Sequence, residues 1–463
     1  MIFNSLEFLF VFLPITYAVF WLLKSANARY VWLTITGYIF YGWWDARFCL
    51  LIGFSTLVSY VAGLGLLKYE NPSTRRAFLI FPIAIDLLLL GFFKYTNFIL
   101  ELSSSLQSRI GLEPHGLRFD IVLPVGISFY TFHTISYIVD CYQRKVTPTK
   151  SFFEFAAYVS LFSQLVAGPI VRFSQLEEDL NRIASSDRVS YVSRGVSLFL
   201  TGLIEKVVIA DSIAFFVDPS MEKIGQLNTF DAWQLLAAYA MQLYFDFSGY
   251  STMSMGLGLL FGMHIPMNFN SPYKAVSLPD FWRRWHISLS TCMRDYLYIP
   301  LGGNRLGISR TYINLMVTML IGGIWHGANL TFVIWGLWHG FWLCVFRTFS
   351  PTSTASRLFG RLVTILVVLL GWVWFRSPDM KTANLWFAKL LGFDSGDGLP
   401  YNPFLIGLLL LSWFVAMVCR NPVEIHDEKS GFCYPPLVAA SIFGMVLTLI
   451  VGWGNSPFLY FQF

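Results

Sequence analysis

The sequence predicts an all-α integral membrane protein that crosses the bilayer many times. Of its 463 residues, 56% are hydrophobic and only 13% are charged, whereas about a quarter of the residues in a typical soluble domain are charged. The apolar residues are concentrated in long runs, and a helix needs about 20 such residues to cross a bilayer. One run contains two Gly-x-x-His-Gly motifs thirteen residues apart, Gly323–Gly327 and Gly336–Gly340. An ionisable group inside a membrane span indicates a functional site.

The apolar runs predict about ten to twelve transmembrane helices, some of them incomplete. The first run follows Glu7 and has neither the basic stretch nor the cleavage site of a signal peptide, so we predict a retained helix. Two runs are too long for one span and are expected to be hairpins or broken helices, residues 232–262 and 311–346. In chain order the runs cover residues 8–23, 30–44, 48–67, 78–93, 121–140, 152–171, 196–217, 232–262, 311–346, 358–375, 403–419 and 436–454.

Basic residues indicate the orientation of the chain. They occupy alternate short loops near residues 24–29, 68–76 and 144–150, which the positive-inside tendency places in the cytoplasm with the N-terminus outside. The densest basic stretch, residues 274–310, is cytoplasmic by the same rule. The longest polar connections are too short to fold alone. We therefore predict one membrane-embedded domain covering residues 1–463.

The basic stretch contains a helix-like segment that we expect to be interfacial or re-entrant. It opens at Pro279, and helical spacing would put Arg283, Ile287, Ser290 and Arg294 on one side. The turn-forming residues of the Pro-Leu-Gly-Gly-Asn-Arg sequence at 300–305 end this segment, and a new helix is predicted after Arg310. His326 lies sixteen residues farther on, about 24 Å along an unbroken helix. This distance predicts that His326 is deep in the membrane.

Several classes of function have no support in the sequence. The six cysteines form no metal-binding spacing or disulfide framework, and the net charge of +5 is modest, so neither a metal site nor nucleic-acid binding is indicated. A nucleophile elbow, a zinc-protease motif and a phosphate-binding loop are all missing from the sequence. Histidine and arginine remain as reactive groups. They suit acyl transfer, in which a base takes a hydroxyl proton while a thioester supplies the acyl group.

Three motifs resemble those of the membrane-bound O-acyltransferases: Phe281–Ser290, Arg294–Arg305 and Trp325–Asn329. The likeness extends from Phe3–Ser5, through Tyr244–Gly249, to Pro457–Phe463. The resemblance implies a helical fold with a central tunnel and a catalytic-motif region at about residues 273–346. It also implies a cytoplasmic acyl donor and a hydroxyl acceptor that enters from the other side.

The resemblance also implies roles for individual residues. His326 matches the near-invariant family histidine and is expected to be the general base, whereas His286 matches a second histidine that positions the donor or assists proton transfer. The guanidinium groups of the basic motif suit the phosphates of coenzyme A. The residues expected to bind the donor or line the tunnel are Arg283, Arg284, Arg294, Asp246, Trp325 and Asn329.

The function implied is acetyl transfer in the bacterial inner membrane. Acetyl-CoA is the expected donor, no cofactor is expected to stay bound, and the acceptor is a hydroxyl of an exported polysaccharide such as alginate. Family analogy implies that a periplasmic or extracellular acetyltransferase partner receives the acetyl group first. Direct acylation of the polymer stays open. Membrane lipid surrounds the protein, and nucleic acid is not a partner.

Structural roles compete with the functional ones for several residues. The arginines could simply follow the positive-inside rule, and Asp246 could either line the tunnel or pair with a buried base. His339 is interpreted as a packed residue, because thirteen residues turn an ideal helix by about 220° and would not place it beside His326. A polysaccharide transporter or export subunit is the alternative function, and an inert assembly scaffold is a third.

Overall fold

The computed structural model confirms the predicted helical fold class. It describes residues 1–165, 168–185, 188–347, 353–394, 396–400, 402–427, 432–453 and 458–459. These residues contain helices, turns and irregular connections but no β-strand. Of the C-terminal motif Pro457–Phe463, all but Phe458 and Leu459 lie outside the described residues.

The helices belong to two compact units. The first unit comprises Met1, Leu6–Arg188 and Phe261–Ile265, and the second comprises Ile2–Ser5, Val189–Leu260 and Pro266–Phe463. Helices of the first unit are α1 Leu13–Leu22, α2 Ala26–Gly42, α3 Cys49–Lys68, α4 Pro72–Arg109, α5 Ile127–Tyr142, α6 Phe152–Val159, α7 Phe162–Leu165 and α8 Phe173–Asn181.

The second unit contains the histidine motifs and most of the longer buried helices. In chain order its helices are α9 Arg188–Leu203, α10 Asp211–Glu222, α11 Thr229–Leu260, α12 Leu278–Trp282, α13 Ile287–Met293, α14 Ile308–His326, α15 Leu330–Phe346, α16 Thr354–Arg376, α17 Met380–Leu390, α18 Pro403–Met417, α19 Pro422–Ile425 and α20 Pro436–Trp453. In both units, short 3₁₀ and π-helical segments join or extend the α-helices, at Phe8–Phe12 and Ala46–Phe48 in the first unit and at Ile204–Ala210, Ile224–Gln226, Pro272–Lys274 and Arg294–Tyr298 in the second.

Within the described residues, three helical segments are both long and apolar enough to cross a membrane: Ala46–Lys68, Pro72–Arg109 and Thr354–Arg376. Shorter apolar helices cover Phe8–Leu22, Leu330–Phe346, Pro403–Met417 and Pro436–Gly452. Side chains on the outward faces of these helices are large and apolar, for example Leu88 and Leu410, which are about 70% exposed. Such surfaces are compatible with lipid rather than water.

One of the two overlong runs is not broken. The run at residues 232–262 forms the single helix α11, so the prediction of a hairpin or a broken helix is wrong for this run. The limit of about 20 residues applies to helices that face lipid, whereas nearly every residue of α11 after Leu235 is buried by protein. Gly249 allows close packing, because a Cβ there would lie 2.8 Å from the carbonyl oxygen of Gly202. The π-helical segment Ile204–Ala210 joins α9 to α10 alongside it.

The other overlong run is broken as predicted. Helix α14 ends at His326, and α15 begins at Leu330. The helix between Arg310 and His326 is unbroken, which confirms that part of the prediction. The expected turn at residues 300–305 is also present, and Gly302 and Gly303 have positive φ angles of 108° and 56°.

The segment that follows Pro279 is not one helix, which corrects the prediction of a shared face for Arg283, Ile287, Ser290 and Arg294. Helix α12 ends at Trp282 and α13 begins at Ile287. Between them His286 adopts a left-handed conformation with φ 43°, which a helix of L-residues cannot contain without breaking.

Two runs in the first unit form less helix than predicted. The run at 121–140 begins its helix only at Ile127, after Pro124 and Gly126. The run at 152–171 contains two short helices instead of one: α6 ends at Val159 and α7 begins at Phe162. Conversely, α4 continues to Arg109, well beyond the end of the predicted apolar run at residue 93.

Candidate active site

Helices α14 and α15 form an antiparallel hairpin that carries both Gly-x-x-His-Gly motifs. A Cβ on Gly323 would lie 2.3 Å from the carbonyl oxygen of Phe332, and one on Gly336 would lie 2.5 Å from that of Met319. Farther along, the Cys344 thiol lies 3.9 Å from the Tyr312 carbonyl oxygen. Residue numbers therefore rise on one helix as they fall on the other. The glycines of the motifs allow the two backbones to meet, as small residues commonly do between membrane helices.

His326 is the last residue of α14 and is enclosed by aromatic rings. Its side chain is nearly buried, and its ring centroid lies 4.9 Å from that of Trp325, 5.0 Å from Trp335 and 5.1 Å from Phe375. The three contacts come from three helices, α14, α15 and α16. The hairpin thus places one ionisable group among aromatic rings, with little of it exposed.

Asn329 begins the second helix of the hairpin. It occupies the N-cap of α15, where its side-chain oxygen accepts a hydrogen bond of 3.1 Å from the Thr331 amide. Its side-chain amide donates to the carbonyl oxygen of Pro378. The described contacts thus give this predicted tunnel residue a structural role, because they fix the start of the helix immediately after His326.

His339 lies in the same aromatic cluster as His326. Its ring is fully buried, 4.8 Å from Trp335 and 5.2 Å from Trp282 between centroids. The premise of one ideal helix does not hold, because the chain breaks after His326 and reverses direction, but the packing of His339 agrees with its interpretation as a packed residue. Trp335 contacts both imidazoles. Within the described residues, neither ring nitrogen of His339 has a hydrogen-bond partner.

His286 reaches this cluster from the break between α12 and α13. Its ring is fully buried, 4.7 Å from Phe247 and 6.2 Å from Trp325 between centroids. The Nδ1 atom lies 3.2 Å from the side-chain oxygen of Asn268. Helices α12 and α13 have five and seven residues and are too short to cross a bilayer. Burial lowers the pKa of His286 to about 3, so the imidazole is neutral near pH 7.

The structure therefore brings the two predicted catalytic histidines to a common neighbour. The Trp325 ring contacts His326 on one side and His286 on another, although the histidines are forty residues apart in the sequence. The left-handed backbone at His286 is a strained conformation for a residue with a Cβ. Such strain persists where the surrounding structure enforces it, commonly at functional sites.

The three predicted donor-binding arginines all lie beside carboxylates. Arg283 and Arg284 share Asp280, at 3.6 Å and 3.1 Å, and Arg294 lies 2.6 Å from Asp295. Exposure separates them, since 70% of the Arg283 side chain and 31% of the Arg284 side chain is exposed. Arg284 also donates to the carbonyl oxygen of Asn270. Arg283 is thus the arginine with the loosest ion pair and the most open guanidinium.

Asp246 pairs with a buried base. Its Oδ1 lies 2.6 Å from the ammonium of Lys206, and Lys206 is also 2.6 Å from Asp211. The second oxygen of Asp246 accepts the backbone amide of Leu459 at 2.9 Å. One of the two interpretations of Asp246 is therefore observed directly, whereas a tunnel-lining role stays a prediction.

A cavity of about 800 Å³ lies at the start of α11 and the end of α10. This volume is in the range of small-molecule sites. The wall residue Asp218 binds Arg376 at 3.0 Å, and Arg376 follows Phe375, which packs on His326. The polar residues on the wall are Asp211, Asp218, Ser220, Lys223, Asn228, Asp231, Gln234 and Asn402.

Several residues of this site were not predicted from the sequence. Asn268, Trp335 and Phe375 contact the histidines. In the sequence, nothing distinguishes them from other polar or apolar residues nearby. Trp335 directly precedes Gly336 of the second motif, and this position is the one feature of the sequence that could have identified it. In the part of the chain that the structure describes, no group of three or more His, Cys, Asp or Glu could hold a metal ion.

Comparison with known proteins places this arrangement in a family. The sequence model described as "MBOAT, membrane-bound O-acyltransferase family" matches residues 95–375, which include the basic motif and both histidine motifs. Helices α14 and α15 lie wholly within this match, and α16 lies within it as far as Phe375.

Two relatives are similar over the whole chain, and a third is similar over part of it. A Pseudomonas putida protein named "Probable alginate O-acetylase AlgI" is 38% identical over 100% of both chains. The "Peptidoglycan O-acetyltransferase" of Helicobacter pylori is 36% identical over 100% of this chain and 98% of its own. The "Teichoic acid D-alanyltransferase" of Bacillus subtilis is 24% identical over 46% of this chain and 56% of its own.

Proposed function

Because the chain belongs to the membrane-bound O-acyltransferase family, and is thus a membrane-bound acyltransferase, we propose that it transfers an acetyl group from acetyl-CoA to a hydroxyl of an exported polysaccharide such as alginate. The names of the full-length relatives support an acetyl group and a polymer acceptor. The single observation that carries the proposal is the placement of His286 and His326 against one ring, that of Trp325.

The chemistry requires a base near the hydroxyl and a proton for the leaving sulfur. His326 takes the hydroxyl proton as the oxygen attacks the thioester carbonyl carbon, and a C–O bond forms. The tetrahedral intermediate collapses, the C–S bond breaks, and the thiolate receives a proton from the imidazolium. The reaction thus ends with an ester, a free thiol and a neutral histidine.

The donor enters from the side of the basic motif. Arg283 offers an exposed guanidinium for the phosphates of coenzyme A, because its contact with Asp280 is long. Deeper in, the indole N–H groups of Trp282 and Trp335 and the ring of His339 have no hydrogen-bond partner in the described part of the chain. Buried donors of this kind cost free energy unless they are satisfied, so they suit the amide carbonyls of the pantetheine arm.

The acceptor enters through the cavity at the start of α11. Asp218 in its wall binds Arg376, and the adjacent residue Phe375 packs against His326. The polar groups on the wall suit the hydroxyls of a sugar or of a polar protein side chain. The polar connections outside the apolar runs are too short to grip a polymer alone. We therefore include an extracytoplasmic partner that takes the acetyl group first, and the bacterial inner membrane as the location.

The test is acetyl release from labelled acetyl-CoA by the purified protein, with a hydroxyl acceptor and a partner supplied. We expect turnover in the wild type, a loss of about a hundredfold or more in His326→Ala, and a smaller loss in His286→Ala. His264→Ala is the control, because His264 is a half-exposed histidine paired with Asp179. Size-exclusion behaviour must match among the variants.

Two outcomes would contradict the proposal. Undiminished turnover in a well-folded His326→Ala would remove this histidine as the base. A wild-type protein without turnover, tested with donor, partner and acceptor, would favour the polysaccharide transporter or the assembly scaffold instead.

A further inference from the structure

Asn268 is a buried polar residue that the proposed mechanism does not use. It lies on the segment between α11 and α12 and is 1% exposed. Its side-chain oxygen is within hydrogen-bond distance of three groups: the backbone amide of Ser288 at 3.1 Å, the Ser288 hydroxyl at 2.8 Å and His286 Nδ1 at 3.2 Å. Its side-chain nitrogen donates to the hydroxyl of Ser251 at 3.3 Å.

These contacts fix which end of the amide faces the histidine. A backbone N–H can only donate a hydrogen bond, so the atom that faces the Ser288 amide must be the oxygen of Asn268. The opposite orientation would place the NH₂ group against another N–H and would leave Ser251 to face the oxygen. Backbone contacts hold the segment in place as well, because the Ile287 amide donates to the Asn268 carbonyl oxygen at 2.9 Å.

The orientation of the amide in turn fixes the proton of His286. A neutral imidazole carries its proton on one nitrogen and a lone pair on the other. Since Nδ1 faces a carbonyl oxygen, a lone pair on Nδ1 would meet the lone pairs of that oxygen, whereas a proton there forms a hydrogen bond. The proton therefore resides on Nδ1, and the lone pair resides on Nε2.

The Nε2 atom of His286 is the group that this arrangement presents to the site. It is buried and, in the part of the chain that the structure describes, has no hydrogen-bond partner. Phe247 and Trp325 pack against the ring, so the neighbouring surface is aromatic. A bare lone pair in such surroundings can accept a hydrogen bond from a substrate but cannot donate one.

We propose that Asn268 is a positioning residue, which holds His286 in the Nδ1-protonated form so that Nε2 accepts a hydrogen bond from an N–H or O–H group of a bound substrate. This inference rests on the proposed function for the role of His286. It goes beyond that function in assigning the direction of the hydrogen bond. In the resting enzyme His286 does not donate to the thioester carbonyl oxygen or stabilise an oxyanion.

The first experiment observes the tautomer without any assay. Histidine labelled with ¹⁵N is incorporated into the wild-type protein, and the His286 ring is assigned from the signals lost in His286→Gln. We expect the two-bond ¹H–¹⁵N pattern of an Nδ1-protonated ring at neutral pH. A ring protonated on Nε2 would overturn the proposal, whatever the activity of the protein proves to be.

The second experiment separates positioning from packing. Asn268→Leu keeps the approximate volume but removes the acceptor oxygen, whereas Asn268→Asp keeps an oxygen toward His286 and Ser288. We expect Asn268→Leu to lower kcat by about tenfold or more with little change in the KM for acetyl-CoA, as when a histidine loses the group that sets its tautomer. We expect Asn268→Asp to recover most of this loss and to restore the Nδ1-protonated signal.

Ser251→Ala is the matched control, because it removes only the partner of the Asn268 nitrogen and leaves the oxygen toward His286 untouched. It should change kcat less than twofold. The proposal fails if Asn268→Leu retains the wild-type kcat, or if Ser251→Ala lowers kcat as strongly as Asn268→Leu. If Asn268→Leu does not fold, the tautomer of the wild type and the activity of Asn268→Asp still decide the matter.

Discussion

The ring of Trp335 meets the ring of His326 edge to face, with centroids 5.0 Å apart and an interplanar angle of 86°. The two residues lie on different helices, and the contact exists because the chain reverses between His326 and Leu330. Edge-to-face packing fixes the plane of the imidazole, so the orientation of the proposed base depends on a tryptophan of the second motif.

We therefore expect Trp335 to affect both activity and stability. Trp335→Ala should destabilise the protein by about 3–5 kcal/mol, because a fully buried indole is removed, and should lower kcat. Trp335→Phe should retain part of the kcat, since an aromatic edge remains. Thermal unfolding in detergent and acetyl transfer measure the two effects. Leu337→Ala, at a partly exposed site on the same helix, is the control and should be near neutral. Equal kcat values for Trp335→Ala and the wild type would contradict a role in orienting His326.

Two adjacent glycines provide a matched test of the hairpin. A Cβ on Gly323 would lie 2.3 Å from the Phe332 carbonyl oxygen and 3.1 Å from the Gly336 Cα, whereas a Cβ on Gly322 would meet nothing within 4 Å. Gly323→Ala should force the helices apart, lowering the melting temperature and the turnover. Gly322→Ala should be neutral or stabilising by up to about 1 kcal/mol, through helix propensity. Similar melting temperatures for the two variants would show that α14 and α15 do not pack as described.

The buried charges around Lys206 should stabilise the second unit as a group. The side chains of Lys206 and Asp246 are 1% and 3% exposed. Lys206→Met leaves buried carboxylates without their cation and should cost about 3–5 kcal/mol in unfolding free energy. Adding Asp246→Asn should recover part of this loss, because one of the unpaired charges is removed. Thermal or denaturant unfolding gives both values. The Arg47–Asp45 pair, in which the Arg47 side chain is 78% exposed, provides the control, since Asp45→Asn should lower the unfolding free energy much less than Lys206→Met does. Additive losses in the Lys206–Asp246 double variant would argue against their pairing.

The Arg376–Asp218 pair should matter to the acceptor rather than to the donor. Arg376→Gln removes the ion pair that links the cavity wall to the segment carrying Phe375, which packs on His326. We therefore expect a higher KM for the hydroxyl acceptor and an unchanged KM for acetyl-CoA. The ion pair itself is worth little to stability, about 1 kcal/mol or less, because nearly half of the Asp218 side chain is exposed. Steady-state kinetics with each substrate varied in turn makes the distinction. A change confined to the donor KM would assign the cavity to the other substrate.

Arg283, the most exposed of the three predicted donor-binding arginines, should bind the donor. Arg283→Gln should raise the KM for acetyl-CoA several-fold and weaken its dependence on salt, because one cation near the phosphates is lost. Arg294→Gln is the comparison, since Arg294 is tightly paired with Asp295 and should affect the KM less. If neither substitution changes the donor KM, these arginines serve membrane orientation alone.

Part of the site was accessible from the sequence because its residues stand out chemically. A histidine is rare in an apolar run, so His326 could be identified as a candidate without coordinates. His286 and Arg283 could be identified because their motif resembles that of the membrane-bound O-acyltransferases. Asn268 and Phe375 could not, because asparagine in a connection and phenylalanine in an apolar helix have many ordinary uses. Their contacts with the histidines join segments that are 18 and 49 residues apart in the sequence, and such contacts have no local periodicity.

The sequence by itself determined that this is an all-α membrane protein and where most apolar helices lie, because the bilayer imposes a composition and a minimum length on any helix that crosses it. It also predicted a hairpin or a broken helix within residues 311–346, since a 36-residue run exceeds one span, whereas the position of the break, after His326, came from the structure. Tertiary structure alone decided that α11 continues unbroken, because burial by neighbouring helices replaces lipid along its length. Tertiary structure also decided the break at His286, where the Asn268 contacts and aromatic packing hold a left-handed backbone that local propensity disfavours.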